Sequence, residues 1–294
     1  PELAKKLQIS AYPTFIVFNS AGQEIGRFLG GCKAEEFIEK VKKASEDNTS
    51  AEMDKRFADG ERDEAFLYSY LNTLSSAYKR DQCNVVAEAL LEGKAETFAG
   101  DKQLANVFMR HLTNPFCPAF VYTAKHPEAL AESMGEMPVR MKIQNVWKGY
   151  AREIITETGG TATLDQEKMD KWLALMDECG VDKEEKEELR LTTLMTYYEK
   201  KPDWKAYMEC VTDYGTLFDI TDLMLCKWCT PVAKICKEEA PKKAAIALLQ
   251  QRVDDLDSGR RAPQTKQGNM MLSGNMKKAM EMLIDALNGK EVKM

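Results

Sequence analysis

The sequence has 294 residues, of which 44% are hydrophobic and 30% are charged, a composition typical of a folded chain with a large core. Its net charge of −6 and its pI of 5.3 argue against a nucleic-acid partner, because phosphate binding needs clustered Lys and Arg. No apolar run approaches the roughly 18 residues that cross a bilayer, so we expect no membrane span.

The chain begins at Pro1 without an initiator Met, and its first residues lack the apolar stretch of a signal peptide. We therefore expect a processed product or a piece of a longer protein, whose compartment cannot be read from this N-terminus. The 8 cysteines are spread along the chain, most of them beside Leu, Met or Val. This spacing is not typical of a small disulfide-stapled domain, so it favours buried free thiols.

The first residues mix helix and strand signals. Residues 2–7 are typical of the end of a helix, and the short apolar run Thr14–Phe18 predicts a buried strand. A glycine-containing turn leads into a second predicted strand, Glu24–Leu29, which completes a hairpin. Apolar positions at helical spacing then predict a helix over Ala34–Glu46. Pro13 stands at the start of the first strand. At that position its missing N–H removes no hydrogen bond between the strands.

From residue 49 onward the strand signals stop, and apolar residues recur at the spacing of amphipathic helices. Aspartates stand at several predicted helix starts as candidate N-caps, and glycines stand at several predicted ends. Pro231 and Pro241 suit the first turn of a helix, so each is expected to begin one. The predicted helices cover residues 49–60, 64–80, a short stretch ending at 93, 101–112, 127–135, 138–158, 165–179, 182–201, 203–214, 220–229, 231–239, 241–258 and 273–288.

Short connections between these helices predict antiparallel pairs that stack on their neighbours. The repeat signal is weak: GERDEAFLYSYLNTL and KKPDWKAYMECV share a charged turn, an Asp and aromatic residues at helical spacing. We therefore predict an α+β fold that is mostly α. It consists of a β-β-α unit over residues 1–47 and an irregular, TPR-like helical domain over residues 48–294.

The beginning of the chain resembles a known fold. ELAKKLQISAYPTFIVFNSAGQEIGRFLGGCKAEEFIEKVKKA has the order of the C-terminal half of a thioredoxin domain: a helix end, Pro-Thr, an apolar strand, a glycine turn, a second strand, a glycine pair and an amphipathic helix. The resemblance implies that Tyr12, Pro13 and Thr14 form the cis-proline loop of that family. Pro13 would pack against a redox dithiol, and the backbone of Tyr12 would pair with a substrate peptide. A trans proline that opens an ordinary strand is the alternative.

A thioredoxin-like part followed by helix pairs, with ERDEAFLYSYLNTL after the first linker, is similar to thioredoxin-family proteins of Bacteroidetes-type bacteria. That similarity implies a periplasmic parent that exchanges thiols and disulfides with proteins or peptides. In the family, a Cys-x-x-Cys dithiol starts a helix ahead of the cis-proline, yet no cysteine precedes Pro13 here. We therefore expect this chain to be the C-terminal portion of such an oxidoreductase, without its dithiol and inactive by itself.

A second Cys-x-x-Cys lies far downstream, in MLCKWCTPVAKIC. Cys226 and Cys229 share one helix face at i, i+3 spacing, and no strand leads into them. Core packing is the favoured interpretation, and a redox pair or regulatory disulfide is the alternative. A zinc site needs four Cys or His ligands, and His111 and His126 are distant in sequence. We expect no metal here.

Other enzyme classes have little support. The sequence contains 2 histidines and no Gly-x-Ser-x-Gly, P-loop or dinucleotide-binding glycine motif, so we expect no cofactor. The alternative to an oxidoreductase is a non-catalytic scaffold. In that case the helical domain would present a groove to a protein or peptide partner, and the thioredoxin-like part would be vestigial.

Overall fold

The structure is a computed structural model, and it describes residues 2–7, 9, 11–18, 20, 22, 24–46, 49–262, 266–267, 270–271 and 276–291. Within these ranges the chain is mostly helical with small two-stranded antiparallel sheets, which confirms the α+β, mostly α prediction. It divides into two compact units, Pro1–Tyr150 and Ala151–Met294. The boundary predicted at residues 47 and 48 lies outside the described residues and stays a prediction. No helix in the described part is long and apolar enough to cross a membrane.

The first unit begins with the predicted β-β-α order. Its elements are α1 (Glu2–Lys6), β1 (Thr14–Phe18), β2 (Glu24–Leu29) and α2 (Ala34–Glu46). The strands pair antiparallel, with Thr14 opposite Leu29 and Phe15 opposite Phe28. Phe37 of α2 packs edge-on against both rings, with centroids 5.0 Å from Phe15 and 5.5 Å from Phe28. This aromatic cluster holds the helix on one face of the hairpin.

Helices form the rest of the first unit. They are α3 (Thr49–Ala58), α4 (Glu64–Ser76), α5 (Arg80–Leu91), a short 3₁₀ helix (Phe98–Gly100), α6 (Lys102–His111), α7 (Pro118–Lys125), α8 (Pro127–Met134) and α9 (Glu136–Ile154), whose residues after Tyr150 belong to the second unit. The predicted cap Asp63 is confirmed, because its carboxylate accepts from the Phe66 amide. Asp101 caps α6 in the same way through the amides of Gln103 and Leu104. Leu74, Phe108 and other fully buried side chains fill the core between these helices.

The second unit contains a hairpin that the sequence analysis missed. Its elements are β3 (Ile155–Thr158), β4 (Thr161–Leu164), α10 (Gln166–Glu178), α11 (Lys183–Lys200), α12 (Trp204–Leu217), α13 (Asp222–Ile235), α14 (Glu239–Asp257), β5 (Lys266–Gln267), β6 (Met270–Met271) and α15 (Met276–Leu287). The helix predicted to run to residue 158 ends at Ile154 instead. β-branched residues and the Gly159–Gly160 turn favour strands over a further helical turn.

Pro231 does not begin a helix, contrary to the prediction. It lies inside α13, which continues to Ile235. A proline within a helix removes its own N–H donor and its ring crowds the carbonyl four residues back, so the helix continues only where other contacts compensate. The hydroxyl of Thr230 donates to the Cys226 carbonyl at 2.7 Å, and the hydroxyl of Tyr207 donates to the Trp228 carbonyl at 3.1 Å. These bonds lie beside the proline, and the buried face of α13 packs into the core of the second unit.

Candidate functional site

The loop that leads into β1 contains Tyr12, Pro13 and Thr14, the residues of the predicted cis-proline loop. The Tyr12–Pro13 peptide bond is cis, and the Tyr12 side chain is 76% exposed. The hydroxyl of Thr14 donates to the Ala11 carbonyl at 2.6 Å, which closes the turn. The Gly30 amide donates to the Pro13 carbonyl at 3.0 Å, so the hairpin ladder already begins at the proline. Tyr12, Pro13 and Thr14 therefore form one ordered turn that presents Tyr12 to solvent.

One edge of β1 has no strand beside it in the described part of the chain. The Pro13 carbonyl points toward β2, and alternate residues of a strand bond to the same side. Phe15 and Val17 therefore bond to β2, while the backbone groups of Thr14 and Ile16 point to the open side. Unpaired N–H and C=O groups at a sheet edge are a template for pairing with an extended chain.

The hairpin by itself buries little of the surface of its own side chains. Every residue of β2 is half-buried, and β1 ends at Phe18, which is 45% exposed. A two-stranded hairpin is marginally stable in water without further strands or helices. Here α2 covers one face, and α3 contacts β2. The open edge and the half-buried strands are typical of a sheet that accepts another strand.

A polar network joins the hairpin to the helices of the first unit. Arg27 forms two hydrogen bonds of 2.6 Å with Glu24, and the ammonium of Lys79 lies 3.8 Å from Glu24 and 3.7 Å from Asp54. Lys79 is almost fully buried. The hydroxyl of Tyr70 donates to Asp54 at 2.6 Å, and burial together with this carboxylate raises the Tyr70 pKa. The sequence gives no signal for this network, because Lys79 lies far along the chain from both Glu24 and Asp54.

Cys226 and Cys229 lie in the second unit, in the middle of α13. They are 8% and 0% exposed and belong to the core of that unit, which also contains Trp204 and Leu249. Burial raises the pKa of Cys226 to about 11 and that of Cys229 to about 12. The helix begins at Asp222, so neither sulfur lies in the first turn, where the helix dipole lowers a thiol pKa. Both thiols are protonated at neutral pH, which favours core packing over thiol exchange.

A cavity of about 480 Å³ opens beside the connection between α12 and α13. Its apolar lining includes Leu217, which is 56% exposed, and the buried Ile220. A Cβ built on Gly215 would lie 3.0 Å from Ile220 Cδ1, so this glycine allows the close approach of the two segments. Arg252 supplies a charged part of the wall. Sequence reasoning did not find this cavity, since its lining comes from three separate helices.

No cluster of His, Cys, Asp and Glu that could hold a metal ion occurs among the described residues. No protein-family model, curated protein or solved structure matches the chain. Any proposal about the function of this chain therefore rests on the geometry of its own residues.

Proposed function

We propose that this chain carries the C-terminal half of a thioredoxin-like domain and belongs to a thiol-disulfide oxidoreductase. The observation that carries the proposal is the arrangement of the first unit: a proline turn, an antiparallel hairpin with an open β1 edge, and α2 packed on one face. A strand supplied by residues ahead of Pro1 would pair with Thr14 and Ile16 and complete the sheet. The same upstream residues would carry the dithiol.

In that mechanism, a cysteine thiolate from the upstream residues attacks one sulfur of a substrate disulfide. A mixed disulfide forms, and the second cysteine of the dithiol then displaces the reduced substrate. Residues Tyr12, Pro13 and Thr14 would line the substrate side of the dithiol. The exposed position of Tyr12 suits contact with a protein or peptide substrate. The family resemblance further suggests that the parent acts in the bacterial periplasm.

Reduction of insulin disulfides by dithiothreitol tests the proposal. We expect no acceleration by the present chain, and acceleration by the chain extended with the natural residues that precede Pro1. Replacement of Cys226 and Cys229 by serine should leave the activity of the extended chain unchanged. The proposal fails if the extended chain is inactive while folded. It also fails if the present chain is active and loses activity in the Cys229→Ser variant.

A second candidate function is partner binding without catalysis, and the cavity beside α12 favours it. Its apolar wall and the exposed Leu217 suit an apolar side chain of a peptide. Peptides selected from a display library should bind the chain and lose affinity in the Leu217→Glu variant. The exposed Ile235→Glu change on α13 is the matched control. Equal affinity of both variants and the unmodified chain would reject this site.

A further inference from the structure

The two faces of the β1–β2 hairpin are covered by different parts of the first unit. Phe15 and Phe28 lie opposite each other and pack against α2, so the next pair along the strands, Ile16 and Arg27, lies on the other face. The Arg27 side chain is only 4% exposed there. It is bonded to Glu24, which in turn lies beside the start of α5, and α3 contacts β2. The hairpin therefore lies between α2 and the helices that follow it in the chain.

Lys79 reaches the hairpin because of the turn between α4 and α5. The Tyr78 backbone has a positive φ of 56°, and the Lys79 amide donates to the Leu74 carbonyl at 3.0 Å, which ends α4 in a Schellman-type turn. A tyrosine in this conformation costs about 1 kcal/mol. The Tyr78 side chain is 46% exposed, so its own burial does not offset this cost. The turn instead directs the Lys79 side chain inward, where it is 8% exposed.

Lys79 joins two pairs of polar side chains that come from different elements. On the hairpin, Glu24 accepts two hydrogen bonds of 2.6 Å from Arg27. On α3, Asp54 accepts a hydrogen bond of 2.6 Å from the Tyr70 hydroxyl. The Lys79 ammonium lies 3.8 Å from Glu24 and 3.7 Å from Asp54. Because a nearly buried ammonium is costly without opposite charges around it, these contacts favour one relative position of β2 and α3.

We propose that Lys79 is a positioning residue that fixes the turn at Pro13 through the hairpin. Glu24 begins β2, and the Gly30 amide directly after this strand donates to the Pro13 carbonyl at 3.0 Å. A tether at one end of β2 therefore sets the position of the turn at its other end. The inference rests on the proposed function, in which this turn lines the substrate side of the dithiol. Helices α3 to α5 then support the thioredoxin-like part and are not a separate binding module.

Hydrogen–deuterium exchange of the present chain tests the tether by itself. Lys79→Met keeps most of the side-chain volume but removes the charge that Glu24 and Asp54 share. We expect the amides of residues 14–29 to exchange at least about tenfold faster, while those of α6 in the same unit change little. Lys79→Arg should keep the slow exchange, because a guanidinium retains the charge between the two carboxylates.

Lys94→Met is the matched control. It removes an exposed ion pair of 3.0 Å with Glu64 of α4 and should leave the exchange of the strands unchanged. Unchanged exchange of the strands in Lys79→Met would overturn the proposal. Equal acceleration of the strands and of α6 would also overturn it, because the variant would then destabilise the unit as a whole.

The chain extended with the natural residues that precede Pro1 tests the effect on substrate binding. Lys79→Met should raise the KM for insulin by about tenfold and leave kcat nearly unchanged, because a displaced turn binds the substrate backbone less well. Lys79→Arg should restore the KM. The KM for hydroxyethyl disulfide should not change, since this small substrate has no peptide backbone for the turn to bind.

An equal rise in KM for both substrates, or a loss in kcat alone, would overturn the positioning role. An extended chain that is folded but inactive would reject the oxidoreductase function. In that case the exchange of the strands still decides whether Lys79 holds the hairpin, so the two failures are distinguishable.

Discussion

Arg252 of α14 and Asp222 of α13 form an ion pair of 2.7 Å in which the Asp222 side chain is only 1% exposed. The same Arg252 nitrogen donates to the Ile220 carbonyl at 2.7 Å, and Arg261 lies 3.3 Å from Asp222. One guanidinium thus joins the first turn of α13, the connection before it and α14. Arg252 also lines the cavity, together with Asp219 and Asp255.

Replacement of Arg252 by leucine should destabilise the second unit by about 3 kcal/mol, because the closest charge partner of a buried carboxylate is removed. Urea unfolding followed by far-UV circular dichroism measures the change. Arg260→Ala, which removes an exposed partner of Asp255, is the control and should have little effect. A similar, small loss in both variants would show that the buried pair contributes no more than a surface pair.

Tyr207→Phe should lower the free energy of unfolding by about 1 kcal/mol, since it removes a buried hydrogen bond while keeping the ring. The hydroxyl of Tyr207 donates to the Trp228 carbonyl, one turn from Pro231 in α13. The half-buried Tyr197 of α11 offers a matched Tyr→Phe control. Thermal unfolding of both variants gives their midpoint temperatures. An unchanged midpoint for Tyr207→Phe would contradict the role of this hydrogen bond in stabilising α13.

The rate at which each cysteine is labelled should decrease as the burial of its thiol increases. Iodoacetamide at pH 8 is expected to modify the half-buried Cys32 and Cys179 first, and to reach Cys226 and Cys229 only when the second unit opens. The raised pKa of the two α13 thiols leaves little thiolate to react. Time-resolved mass spectrometry of the peptides gives the order. Early modification of Cys229 in the folded chain would instead support the redox interpretation of this pair.

The pKa values of the same two thiols predict how the free energy of unfolding depends on pH. Their pKa values are raised in the folded state, to about 11 for Cys226 and about 12 for Cys229. Unfolded thiols lose their protons near pH 8.5, so the folded state binds more protons above that pH. The contribution of these two thiols to the free energy of unfolding should therefore be constant below about pH 8 and decrease above it, by up to about 1.4 kcal/mol per pH unit for each thiol.

Urea unfolding between pH 7 and pH 10 tests this dependence. The slope above pH 8.5 should be smaller in Cys229→Ala than in the unmodified chain, whatever the loss of packing does to absolute stability. Cys32→Ala, which alters a half-buried thiol in the first unit, is the matched control. Identical slopes in all three proteins would show that thiol burial does not set the pH dependence.

The sequence predicted the elements whose signals are local. Strand β1, its hairpin and the cap at Asp63 follow from a short apolar run, turn residues and a capping aspartate, and all are confirmed. The buried pair of Arg252 and Asp222 could not be predicted, because it joins residues that only tertiary packing brings together.

Two errors arose where local signals compete. The preference of proline for the first turn predicts a helix start at Pro231, although α13 continues past this residue to Ile235. The helical pattern predicts a helix that runs to residue 158 and ends at the glycine pair, although Ile155, the threonines and this Gly-Gly pair form a hairpin signal. The long helical pattern before them outweighed a short strand signal. The thioredoxin resemblance and the irregular helical repeat stay predictions.

The Gly159–Gly160 turn gives the last prediction. Both glycines have positive φ, 60° and 80°, which suits the turn type that joins strands through two residues. Gly160→Val should destabilise the second unit by about 1–2 kcal/mol, because a β-branched residue is strained in this conformation. Gly159→Asn should be nearly neutral, since Asn tolerates it. Thermal unfolding compares the two, and equal stability of both variants would indicate that the turn does not require this backbone conformation.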